Sequence, residues 1–159
     1  MTSAVGAGPA RVPGCYSCDR DALPALPPRE DVWSSALWRV AHAFDTALPG
    51  WLVVLPRRHV VAMAELTDVE AVELGPLLVD LGRALASVTG CVKTYVMQFA
   101  EAEGFGHVHL HVVPRAADLA PELRGPRVFA LLGLPEAERV SEGEQDRLAL
   151  AIRAALRHT

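Results

Sequence analysis

Three histidines stand at alternate positions in one short run, Gly106-His107-Val108-His109-Leu110-His111-Val112-Val113-Pro114-Arg115. An extended chain rises about 3.3 Å per residue and sends successive side chains to opposite faces. His107, His109 and His111 then share one face at intervals of about 6.6 Å, while Val108, Leu110 and Val112 share the other. Half of the chain's six histidines fall within these five positions, so chance tolerance on a solvated strand is a poor account of them. Two kinds of chemistry suit the pattern. Imidazole is the commonest metal ligand, so the three rings could hold a metal. Alternatively, a neutral imidazole attacks phosphorus when one ring nitrogen is held as a donor and the other faces the substrate. A cationic neighbour would then stabilise charge on the phosphoryl oxygens.

The cysteines offer a second lead. Cys15 and Cys18 stand as Cys-x-x-Cys, and Cys91 stands alone. Three cysteines are too few, and odd in number, for a disulfide framework. In a reducing compartment the pair reads as half a zinc site, a redox pair or an ordinary surface pair. Cys91 reads as a small buried hydrophobe.

Such residues need elements to position them. The 159 residues fit one domain, with enough chain to bury roughly 70% of the surface exposed when unfolded. Hydrophobic residues at 51% against 21% charged exclude a disordered chain. The net charge, 15 − 19 = −4, argues against a nucleic-acid partner, which usually requires a basic stripe. No apolar run approaches the roughly 18 residues of a membrane span, so no membrane partner is expected. Residues 1 to 13 lack a basic cluster leading an apolar stretch, so no secretory leader is expected and the default is a cytoplasmic domain. Residues 1 to 14, rich in Gly, Ala and Pro, read as a mobile arm. Residues 51 to 55 form a β-favouring run stopped by Pro56. Residues 65 to 88 carry a helical pattern, with Thr67 and Glu70 as a capping box and Gly90 as a left-handed C-cap. Gly75-Pro76 within it predicts a kink or a split into two helices. Residues 92 to 99 and 107 to 113 read as strands, the second stopped by Pro114. Residues 114 to 140 are irregular. Ser141 with Glu144 opens a C-terminal helix whose apolar face carries Leu148, Ile152, Ala155 and Leu156. Short strands and one long helix suggest an α+β fold with an antiparallel sheet.

The run from His107 to Arg115 resembles the signature of the histidine-triad (HIT) superfamily of nucleotide hydrolases and transferases, His-φ-His-φ-His-φ-φ with φ apolar. Residues 51 to 60, WLVVLPRRHV, resemble the family's Gly-x-Leu-Val-φ-Pro-(Lys/Arg)-x-His strand and turn. The resemblance covers residues 15 to 115 and leaves 116 to 159 as a C-terminal extension without a role. It implies a five-stranded antiparallel sheet with one long helix, and a homodimer with the sheet continuing across two chains. It implies that His109 attacks the α-phosphorus of a nucleotide, giving a transient nucleotidyl-histidine, while His111 contacts the phosphate oxygens. Dinucleoside polyphosphates or nucleotide conjugates are the implied substrates. Many bacterial members close a structural zinc (Zn2+) with residues matching Cys15, Cys18, His59 and His107.

The resemblance has gaps. Where the family places Gly-Gln-(Ser/Thr), this chain has Ala102-Glu103-Gly104, so an anion stands where a phosphate donor is usual. Gly104 could still offer a backbone N–H, Gln98 is a candidate phosphate contact, and Asp45 a candidate for the ribose hydroxyls. The usual Gly-His before the strand is Gly50-Trp51 here. Arg57, Arg58, His42 and His158 are given no role, and Trp33, Trp38 and Trp51 are expected in the core or a dimer contact. Two other readings stay open: a nucleotide-binding module without turnover, and a hydrolase whose metal is held by all three histidines.

Overall fold

A computed structural model describes residues 11–157. The expected arm therefore falls largely outside the described residues, as does His158. A short helix α1 (Tyr16–Asp21) precedes strands β1 (Trp33–Ser34), β2 (Trp38–His42) and β3 (Leu52–Pro56). The long helix α2 (Asp68–Thr89) follows, then β4 (Lys93–Gln98), β5 (Leu110–Arg115) and the C-terminal helix α3 (Glu142–Leu156). All strand pairings are antiparallel, and the sheet order is β1-β2-β3-β5-β4. This is the α+β architecture expected.

Helix α2 begins where its capping box sits. The Thr67 hydroxyl accepts from the Glu70 N–H, and the Glu70 carboxylate accepts from the Thr67 N–H at 2.7 Å. Arg58 reinforces this end: its guanidinium bonds the Glu70 carboxylate at 2.8 Å and holds that group below the usual carboxylate range. Gly90 closes the other end at φ 71°, a left-handed conformation that costs glycine little. The split expected at Gly75-Pro76 does not occur. Helix α2 runs unbroken through Pro76, because packing of Leu74, Leu77, Leu81 and Leu85 on the sheet outweighs one lost backbone hydrogen bond.

The core lies between α2 and one face of the sheet. Val40, Leu52, Val54, Val108, Leu110 and Val112 meet the leucines of α2 there. Ala149 and Ile152 of α3 enter the same core, and Cys91 joins it as a buried hydrophobe. The C-terminal extension thus completes the packing around α2. Trp38 is fully buried and its indole donates to the Glu70 carbonyl.

The histidine strand departs from expectation at both ends. Regular pairing starts only at Leu110, because β4 ends at Gln98, the partner of Leu110, and leaves 107 to 109 without a ladder neighbour there. The Val108 N–H turns instead to the Val60 carbonyl at 2.8 Å. At the far end Pro114 lies inside β5, opposite Thr94, and does not stop it. The β3 ladder beside β5 already ends at Val112, so a residue without an N–H is tolerated.

Candidate functional site

His107 turns away from the other two histidines of its run. Its Nε2 bonds the Pro56 carbonyl at 2.8 Å, which leaves Nδ1 to face Cys15 Sγ at 3.5 Å and Cys18 Sγ at 3.7 Å. His59 brings its own Nδ1 to 3.4 Å from Cys18 Sγ. The four donor atoms lie within 4.8 Å of one another, and only His59 is more than slightly exposed. A tetrahedral zinc with Zn–S of about 2.3 Å and Zn–N of about 2.05 Å has N···S edges of about 3.5 Å. The three N···S separations of 3.4 to 3.7 Å fit that polyhedron. The carbonyl behind His107 fixes its ring and tautomer, as partners behind zinc ligands usually do. Cys₂His₂ leaves no open position, so the site suits structural zinc. It ties α1 to the turn after β3 and to the start of the histidine run. A metal shared by His107, His109 and His111 is not what this geometry offers: His107 has both ring nitrogens engaged away from the cleft that His109 and His111 face.

His109 and His111 face a cleft of about 350 Å³ on the sheet surface opposite α2. Their rings meet edge to face at 4.9 Å. The His109 Nδ1 lies 2.8 Å from the His107 carbonyl. A carbonyl only accepts, so Nδ1 carries the proton and the Nε2 lone pair is bare. At His111 the arrangement reverses. The Trp51 indole donates to His111 Nδ1 at 3.0 Å, so the neutral ring keeps its proton on Nε2. Burial, and then the neighbouring His109, push the His111 imidazole down to about 4, so it is neutral at pH 7. The cleft thus pairs a nitrogen nucleophile with an adjacent N–H donor.

Aromatic rings wall the cleft. Tyr16, Phe44 and Phe105 form one cluster, with centroids 5.2 to 6.1 Å apart. Phe129 packs edge-on against His111 at 4.9 Å and meets Phe99 at 5.4 Å. None of these five was singled out in the sequence, and all stand outside the strands. Phe129 comes from the 3₁₀ segment Gly125–Leu131, which gives the C-terminal extension a place at the site. Glu101 also lines the cleft, just after Ala100, the one non-glycine residue with positive φ (56°) among the described residues.

Other expected site residues fare differently. Asp45 lines the cleft, half-buried. Gln98 does not: it pairs with Leu110, so its side chain shares the face of α2, and Met97 is the residue opposite His111. Gly104 does not line the cleft either. It stands in an exposed turn at φ 79°, and its carbonyl accepts from the Tyr16 N–H. Glu103 sits exposed in the same turn and outside the cleft lining, so it is not aimed at a substrate there. Arg57 and Arg58 bond Ser35 and Glu70, as suits residues with structural duties. His42 is buried, accepts from the Gly50 N–H and faces the Ala43 carbonyl, so it braces the loop that carries Asp45. Trp51 is core, as expected, and also the partner of His111.

Comparison with protein-family models and with curated protein sequences finds no match. Solved structures do match. A Hit-like protein involved in cell-cycle regulation from Bartonella henselae is 19% identical, with a TM-score of 0.63 over 86% of this chain and 90% of that one. A zinc-bound histidine triad family protein from Mycobacterium smegmatis is 16% identical, with a TM-score of 0.61 over 84% and 86%. A hypothetical histidine triad nucleotide-binding protein from Sulfolobus tokodaii is 13% identical, with a TM-score of 0.66 over 91% of each chain. The chain has the histidine-triad fold.

Proposed function

We propose that this chain is a histidine-triad nucleotide hydrolase or nucleotidyl transferase acting through His109. One observation carries the reading: a bare imidazole nitrogen beside an imidazole N–H, at one side of an aromatic cleft large enough for a nucleoside. The His109 Nε2 forms a bond to the α-phosphorus as the bond from phosphorus to the leaving group breaks. The leaving group takes up a proton, and His111 Nε2–H hydrogen-bonds the oxygens on which charge gathers. As His109 becomes an imidazolium, its Nδ1–H bond to the His107 carbonyl strengthens. Water or another acceptor then attacks the same phosphorus and gives up a proton to solvent, which balances the one the leaving group took from it; the P–N bond breaks, and neutral His109 returns. Splitting one displacement into two is the general benefit of a covalent route. Asp45 is proposed to hold the ribose hydroxyls.

Zinc held by Cys15, Cys18, His59 and His107 would hold the N-terminal segment against the sheet and take no part in the chemistry. A cytoplasmic location is proposed, consistent with three unpaired cysteines and with no helix among the described residues long and apolar enough to cross a membrane. A homodimer is proposed as well. Strand β4 ends the sheet, and the exposed Val92 and Val96 share a groove with Val79 of α2 that a second copy would cover.

The test is a panel of dinucleoside polyphosphates and nucleotide phosphoramidates, with release of nucleoside monophosphate and mass of the protein followed together. A transient nucleotidyl adduct should map to His109. The His109→Ala protein should lose at least about a thousandfold in rate, while keeping its zinc. Turnover persisting in that variant would remove the mechanism. Nucleotide affinity without turnover in the native protein would favour a binding module instead.

A further inference from the structure

The strand registers define what lies across the cleft floor. Ala41 pairs with Val53 and Val53 with His111, so these side chains form one row on the cleft face. In the next row Arg39 pairs with Leu55, and Leu55 falls beside His109, one step beyond the pair Val54 and Leu110. Neighbouring strands lie about 4.8 Å apart, so Arg39 stands two strands, or about 10 Å, from the line of His109. Ala41, Val53 and Leu55 make the floor between them apolar. A nucleoside with its phosphorus at His109 would cross that floor and bring the outer edge of its base to Arg39.

That far end is charged. Arg39 and Glu30 both line the cleft, with side chains 1% and 10% exposed. Arg39 is committed to protein: its Nε bonds Asp21 at 2.6 Å and its Nη1 bonds the Glu30 backbone carbonyl at 2.6 Å. The Glu30 carboxylate is less occupied. Its Oε1 accepts from the Tyr16 hydroxyl at 2.9 Å, with Arg20 at 3.9 Å, and its Oε2 has only Arg39 Nη1 at 3.5 Å. A carboxylate oxygen can accept two hydrogen bonds, so both oxygens keep capacity and neither can donate. A base edge that satisfies two acceptors side by side must carry two adjacent N–H donors. Guanine has them at N1 and N2. Adenine, cytosine and uracil each set an acceptor beside their donor.

We propose that Glu30 selects the base, and that the cleft prefers guanine nucleotides. The inference rests on the cleft being a nucleotide site. Arg39 and Tyr16 hold the carboxylate in place and are positioning residues.

Calorimetric titration of the zinc-loaded protein with GMP, AMP, CMP and UMP tests this. A bidentate contact to a base edge discriminates by about 5-fold to 150-fold, so GMP should bind at least about 5-fold tighter than AMP. Glu30→Gln sets one donor beside one acceptor, the complement of adenine, and should bring the GMP-to-AMP preference to one or below. Native protein that binds all four within twofold would overturn the base preference and leave the nucleotide reading standing. Failure to bind any of the four would overturn both. A variant that loses all four equally would make Glu30 structural and overturn the proposal.

Discussion

The cysteine–histidine corner and the cleft are built from one stretch of chain, yet they use the same side chain in opposite ways. At the corner, His107 has both ring nitrogens engaged, one on the Pro56 carbonyl and one facing the two thiols. In the cleft, His109 and His111 each have one nitrogen engaged and one free. The partners differ in kind. A carbonyl holds His109 and leaves an acceptor free; an indole N–H holds His111 and leaves a donor free. Imidazole has no fixed role here. The group behind each ring assigns it, so the corner is closed while the cleft leaves one nitrogen of each ring open to a ligand.

Removing His109 should have the largest effect on the cleft and almost none on the corner. The reverse experiment is the double variant Cys15→Ala, Cys18→Ala. It should abolish zinc binding by elemental analysis and destabilise the fold by several kcal/mol, since metal binding contributes folding free energy. For a chain of this length that lowers Tm by roughly 10 °C. Turnover should fall less than in His109→Ala, because His107 loses its anchor but His109 keeps its carbonyl partner. A double variant as inactive as His109→Ala, with Tm unchanged, would merge the two regions into one catalytic unit.

The corner was far more legible in the sequence than the cleft. Cys15 and Cys18 mark half of it by their spacing, the resemblance adds His59 and His107, which stand 41 and 89 residues beyond Cys18, and alternation in 107 to 113 separates core from polar side even where the ladder is absent. The capping box of α2 and Gly90 were equally readable, because their chemistry is local. The cleft walls depend on distant pieces of chain. Phe44, Phe99 and Phe105 sit in loops and Phe129 in a short 3₁₀ segment, with no period to mark them, and only the fold brings them together. Gln98 failed for a sharper reason. One register step decides which face a strand residue occupies, and pairing with Leu110 turned it toward α2. Gly104 stands in the stretch that the resemblance aligns with phosphate binding, but its backbone makes a left-handed turn outside the cleft lining. The bulk of Trp51 marks it as core in the sequence, while its indole N–H, the part that serves His111, leaves no trace in a pattern of hydrophobicity.

Trp51 sharpens the comparison from the side of the cleft. Trp51→Phe keeps an aromatic ring in the core but removes the donor to His111, which is then free to put its proton on Nδ1. Losing a partner that orients a functional imidazole typically costs 10-fold to 100-fold. The loss should appear in kcat with KM little changed, because the substrate's remaining contacts stay. Zinc content should not move. A rise in KM alone would mean that Trp51 merely shapes the cleft.

The smallest effect is a pH dependence, and its sign follows from burial. His111 titrates at about 4 in the fold and near 6.5 when unfolded, so folding favours its neutral form. A depressed imidazole contributes stability that is fully present above pH 6.5 and is lost as pH falls from 6.5 to about 4. Zinc ligands also take up protons in that range, so a single melting curve would mix the corner with the cleft. His111→Gln separates them. It keeps a polar side chain next to Trp51 and cannot charge, while the zinc ligands are left in place. Between pH 7.5 and 4.5 the native protein should therefore lose more stability than the variant, by on the order of 2 kcal/mol, read from denaturant midpoints. Parallel curves would mean that His111 is charged without penalty, and the cleft would then hold a cation where the hydrogen bond from Trp51 requires a neutral acceptor.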